Sequence, residues 1–148
     1  MLKKTIEYED YNGENRREDF YFNLTRTEVL EMEYNFGSGT SMTEILKVLI
    51  NEKDIGAIIK TIKTIILSAY GEKSSDGKRF VKNEEIRESF EQNPAFDVLY
   101  MELASNAEAA ADFLNGIMPS SVTQSLGENP KQALLDKMKE FEDNNKAD

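Results

Sequence analysis

Apolar and polar residues alternate at the start of the chain. Ile6 and Tyr8 are separated by Glu7 and followed by Glu9; Phe20, Phe22 and Leu24 are separated by Tyr21 and Asn23 and preceded by Asp19. A period of two marks a strand with one buried face. Between the two runs lies Tyr11-Asn12-Gly13-Glu14. Asn-Gly predicts a type I′ hairpin turn, because that turn needs φ > 0 at both central residues. Residues 1–24 therefore read as a β-hairpin. Two strands alone are marginal in water, so the Phe20/Phe22 face has to pack on the helices downstream.

After Leu24 the period becomes helical. Thr25-Arg26-Thr27-Glu28 and Ser41-Met42-Thr43-Glu44 both have the spacing of a capping box. The first opens a helix with Val29, Met32 and Phe36 on one side, ending at Gly37-Ser38-Gly39. The second opens a helix with Met42, Ile45, Leu46, Leu49 and Ile50. Asp54 then caps Ile55 to Tyr70, where Ile55, Ile58, Ile59, Ile62, Ile66 and Ala69 form a stripe that Ile65 and Leu67 widen. Such breadth predicts a central helix buried on several sides, ended by Gly71. Its β-branched residues disfavour a helix by propensity, but burial outweighs that.

Glu72 to Val81 contains Asp76-Gly77 and predicts a small hairpin or ordered loop. Asn83 caps an acidic helix, Glu84 to Gln92, burying Ile86 and Phe90. Asn93-Pro94 starts another, carrying Phe96, Leu99, Tyr100 and Leu103. Asn106 caps a third, with Ala107, Ala110, Ala111, Leu114 and Ile117. Pro119 to Pro130 holds two of the three prolines and no helical period, so it reads as a linker. Lys131 to Phe141 comes next as a short helix with Leu134, Leu135, Met138 and Phe141 on one face. That stripe either folds back on the rest or serves as a tethered helix for a partner's groove. The organisation expected is an α-rich domain at 1–118 including the 1–24 hairpin, a 119–130 linker, and a short amphipathic helix with a frayed end at 131–148.

Charge alters the picture of partners. The net charge is −10, with 18 basic and 28 acidic residues. Nucleic-acid binding needs basic surface, so it is not expected. The stretch 83–112 carries a net −7 while 36–82 carries +3. This reads either as complementary solvated faces or as an acidic docking surface. There is no Cys and no His, which removes thiolate chemistry, zinc–thiolate sites and any Ser-His-Asp triad. The first residues lack the apolar run of a signal peptide, and Lys60 and Lys63 interrupt the longest apolar stretch, so no membrane span is expected.

The remaining candidate chemistry is thin. Glu84, Glu85, Glu88 and Glu91 fit the exposed face of an amphipathic helix better than a cation site. Ser74-Ser75-Asp76-Gly77 lacks the ligand series of a calcium loop. No catalytic, cofactor or metal residues are assigned, and a binding role is expected rather than an enzyme.

Three strings carry a resemblance. Phe20-Tyr21-Phe22-Asn23-Leu24-Thr25, then Ala69-Tyr70-Gly71-Glu72-Lys73-Ser74 with Asp76-Gly77-Lys78-Arg79-Phe80, and Phe113-Leu114-Asn115-Gly116-Ile117-Met118-Pro119 together resemble tail assembly chaperones of long-tailed phages and prophages of Gram-positive bacteria. The resemblance covers roughly residues 3–119. It implies a non-enzymatic protein of the host cytoplasm that binds the tape measure protein, helps recruit tail tube subunits and is absent from the finished virion. A minor tail or neck component of the virion is the alternative. Self-association is open, and Leu134, Leu135, Met138 and Phe141 are the candidate partner contacts. The fold class expected is mainly α: an N-terminal β-hairpin packed on about five to six short helices, with a flexible C-terminal tail.

Overall fold

In the computed structural model, residues 1–37, 41–42, 44–45 and 55–119 are described. In chain order they form β1 (Leu2–Glu9), β2 (Asn15–Phe22), α1 (Arg26–Asn35), α2 (Ile55–Ala69), β3 (Tyr70–Lys73), β4 (Phe80–Val81), α3 (Glu84–Glu91), α4 (Pro94–Ser105) and α5 (Ala107–Ile117). Among the described residues there are thus five helices and a four-stranded antiparallel sheet of order β1-β2-β3-β4. This corrects the mainly α expectation to a mixed α/β architecture. The two hairpins are one sheet, joined where Tyr21 pairs with Gly71 and Phe22 with Tyr70.

The β1–β2 hairpin forms in the register its alternation requires, from Leu2↔Phe22 to Glu9↔Asn15. Ile6, Tyr8, Phe20 and Phe22 are buried on the face that meets the helices. The turn differs from the type I′ expectation. Gly13 N–H donates to the Asp10 carbonyl at 3.0 Å and Asp10 N–H to the Glu14 carbonyl at 2.9 Å. Only Gly13, at φ 81°, is left-handed; Asn12 is not. That is a type I turn followed by a left-handed glycine. The Asp10 carboxylate favours it by accepting from the N–H groups of Asn12 and Glu14. Gly13→Val should cost more than ~1 kcal/mol, because a β-branched residue is strained at that φ. A lower thermal midpoint with an unchanged helical spectrum is the expected readout.

Helix starts follow the local signals. Thr25 accepts from Glu28 N–H at 3.1 Å and Glu28 accepts from Thr25 N–H at 3.0 Å, a complete capping box. Asn83, Asn93 and Asn106 each accept from an N–H in the first turn of the helix they precede. At Ser41 the hydroxyl accepts from Glu44 N–H, and Met42 and Ile45 are buried. Leu46, Leu49, Ile50 and the Asp54 cap lie outside the described residues.

The central helix ends at Ala69, not Tyr70, and Gly71 is not its cap. Gly71 lies within β3, where an added Cβ would fall 2.7 Å from the Phe80 ring; the glycine is there for close approach. Ile62, Ile65, Ile66 and Ala69 are buried, whereas Ile59 is 46% exposed. The apolar stripe is therefore wider in sequence than the surface it meets among the described residues.

The core is built around aromatic rings contributed by both layers. Phe22 lies 5.2 Å from Phe113 and 5.7 Å from Phe90, edge-on to both. Tyr70 stacks on Phe90 at 4.1 Å. Phe20 reaches Phe90 at 5.3 Å. Leu99, Leu103, Leu114 and Ile117 complete the contact between helices and sheet.

Candidate interaction surface

The loop from Asn23 to Thr25 is where several element ends converge. Asn23 N–H donates to the Ala69 carbonyl at 2.8 Å, and Leu24 N–H to the Ile117 carbonyl at 2.9 Å. Each satisfies a terminal carbonyl that its own helix cannot. Lys82 locks this junction from the β4–α3 connection. Its ammonium donates to Glu28 Oε2 (2.6 Å), the Asn23 carbonyl (2.6 Å) and the Ser68 carbonyl (2.9 Å). Three acceptors match its three protons, and its charge sits at the C-terminal end of α2, where the helix dipole favours it. Nothing in the sequence pointed to this residue, because its partners lie 14 to 59 positions away.

The cluster has a pH consequence. Burial works to raise the Glu28 pKa, but the bond from Lys82 and the Thr25 N–H outweigh it and hold it below the usual 4.5. Burial in turn lowers the Lys82 pKa, offset in part by Glu28. A carboxyl depressed in the folded state stabilises fully above its unfolded value and loses that contribution as pH falls through its folded value. Acid below about pH 4.5 should therefore weaken this junction. Lys82→Met should cost about 1–2 kcal/mol at neutral pH, the scale of lost charge-assisted bonds at a half-buried site. Urea unfolding at neutral pH and near pH 3 should show that difference shrinking in acid.

The helices bury one face each and leave apolar groups on another. Helix α1 buries Val29 and Met32, which turns Leu30 (67% exposed) and Tyr34 (76%) outward, one turn apart. Helix α4 buries Ala95, Leu99 and Leu103, which turns Val98 and Met101 (55%) outward. With Ile59 on α2, these are large apolar side chains on a strongly acidic chain. On α3, Glu84, Glu85 and Glu88 are exposed; among the described residues Glu91 is the one of the four acids that forms an ion pair, with Lys63 at 2.6 Å.

Other candidates resolve into structure. Asp76 accepts from the Ser74 hydroxyl and from Lys78 N–H, and so holds the β3–β4 turn. A depression of about 520 Å³ along the β1–β2 hairpin is lined by Glu7, Tyr8, Glu9, Asn15, Arg16 and Arg17. Both of its arginines are paired, Arg16 with Asp10 at 2.5 Å and Arg17 with Glu7 at 3.9 Å. Among the described residues no group of three or more His, Cys, Asp or Glu could hold a metal ion. No described helix is long and apolar enough to cross a membrane. Leu134, Leu135, Met138 and Phe141 lie outside the described residues.

A sequence model of the phage tail assembly chaperone family matches residues 1–147. The chain belongs to that family. The match extends past Pro119 and through the apolar stripe at 134–141. No curated protein and no solved structure matches the chain.

Proposed function

We propose that this tail assembly chaperone binds the tape measure protein, helps recruit major tail tube subunits onto it, and acts in the host cytoplasm without entering the finished virion. The observation that carries the reading is the family match over residues 1–147. The surface supports it physically. A chaperone for a long, aggregation-prone client needs exposed apolar groups and enough like charge to stay soluble while presenting them. Leu30, Tyr34, Val98 and Met101 supply the first, and a net charge of −10 the second. Leu134, Leu135, Met138 and Phe141 are proposed as further client contacts, on a linker spanning 119–130. The protein's role is binding, with no catalytic step.

Quantitative mass spectrometry of infected-cell lysate and purified virions tests the assembly-factor reading. The chain should be abundant in lysate and absent from virions; a fixed stoichiometric copy number in virions would make it a structural tail or neck component. Truncation after Met118 removes the C-terminal stripe and keeps the five helices and four strands of the described residues. It should leave thermal unfolding unchanged and weaken capture of the tape measure protein. Melting of the truncated chain would place the segment in the core instead.

A further inference from the structure

Strand β1 is the outer strand of the sheet, and its second edge has no strand beside it among the described residues. It is eight residues long and, without proline, it pairs in continuous register with β2 along its whole length. Asp10 N–H bonds the Glu14 carbonyl, and antiparallel ladders alternate bonded and non-bonded pairs. Glu9, Glu7, Thr5 and Lys3 are therefore the residues whose backbone N–H and C=O groups point outward along the free edge. Their side chains are exposed, on the face away from the helices. An edge of this length is a template for a further strand.

The charge along that edge is divided. Lys3 lies at one end and Glu7 and Glu9 at the other, with Thr5 between. We propose that β1 pairs antiparallel with β1 of a second copy of this chain, giving a symmetric dimer with one continuous eight-stranded sheet. Of the face-preserving registers, which set outward-pointing backbone groups opposite each other, two bring Lys3 opposite an acidic residue across the interface. One is centred on Thr5 and sets Lys3 opposite the partner subunit's Glu7. The other is centred on Ile6 and sets Lys3 opposite the partner subunit's Glu9. Both repeat the attraction twice by symmetry, whereas parallel pairing would set like charges together. The adjoining helix carries apolar surface at this edge. Glu102 of α4 bonds Lys4 of β1 at 3.3 Å, and Val98, one turn earlier on the same row, is exposed.

Sedimentation equilibrium of the full chain and its charge variants tests this. The wild-type chain should dimerise. Lys3→Glu should weaken the dimer about tenfold or more. Glu7→Lys with Glu9→Lys should do the same. The double change moves the net charge from −10 to −6, each substitution adding 2, so weaker association there cannot come from overall repulsion. Combining all three substitutions, or mixing the Lys3→Glu chain with the double variant, should restore the dimer. Thr5→Pro removes an outward N–H that β2 does not use and should abolish pairing while circular dichroism stays unchanged. A wild-type chain that stays monomeric overturns the proposal, as does a dimer indifferent to these substitutions. Dimerisation that begins only when residues 120–148 are removed also overturns it, because the chain's own C-terminal segment would then occupy the edge.

Discussion

Ile62→Asp should leave the chain unfolded or insoluble. Ile62 is 3% exposed and sits on α2 among Ile65, Ile66 and Ala69, against the helical layer that covers the sheet. Burying its side chain contributes about 1.5–3 kcal/mol, all of which is lost on substitution. The aspartate adds the cost of a carboxyl with no partner, which either stays ionised in an apolar site or takes up a proton. Set against a total stability of roughly 5–15 kcal/mol, the combined loss is decisive. Far-UV circular dichroism with size-exclusion chromatography reads the result. A soluble variant that unfolds cooperatively near the wild-type midpoint would show that α2 is peripheral.

Phe22→Ala should destabilise by about 3–5 kcal/mol, the range for truncating a fully buried phenylalanine. Phe22 is fully buried and joins two layers, touching Tyr70 on the neighbouring strand, Phe90 on α3 and Phe113 on α5. Its loss opens a cavity and removes the edge-on contacts that Phe22 makes with Phe90 and Phe113. Phe22→Leu keeps much of the volume and should cost clearly less. Urea midpoints for the pair separate the lost volume from the lost ring contacts; equal costs would mean that the aromatic geometry contributes little beyond burial.

These two residues also show what was legible in the sequence. Ile62 and Phe22 declared themselves by period, one on a helical stripe and one on a strand alternation. The caps at Thr25, Asn83, Asn93 and Asn106 were equally plain, since each depends on residues within one turn. What stayed hidden depends on distant partners. Tyr70 follows an apolar helical run, so nothing local separates it from α2; it becomes a strand because Phe22 pairs with it. Gly71 resembles a helix stop and is instead the floor beneath Phe80. Asn12-Gly13 promised two left-handed residues, but the Asp10 carboxylate satisfies the turn's N–H groups with only one. Phe113 stood beside the small residues of α5 without joining their stripe, yet it fills the space next to Phe22. The exposed pair Leu30 and Tyr34 was invisible for a related reason. A stripe shows which residues lie together on a helix, and only the packed fold shows which of them stay exposed among the described residues.

The proposed role is that of a chaperone that holds an extended client through exposed apolar groups on an acidic body. Co-expression of the tape measure protein with the full chain, followed by affinity capture and measurement of the soluble fraction, tests that most directly. The tape measure protein should be largely insoluble alone, soluble in the presence of the chain, and recovered with it in a fixed ratio. Equal precipitation with and without the chain, and no recovery on capture, would contradict it.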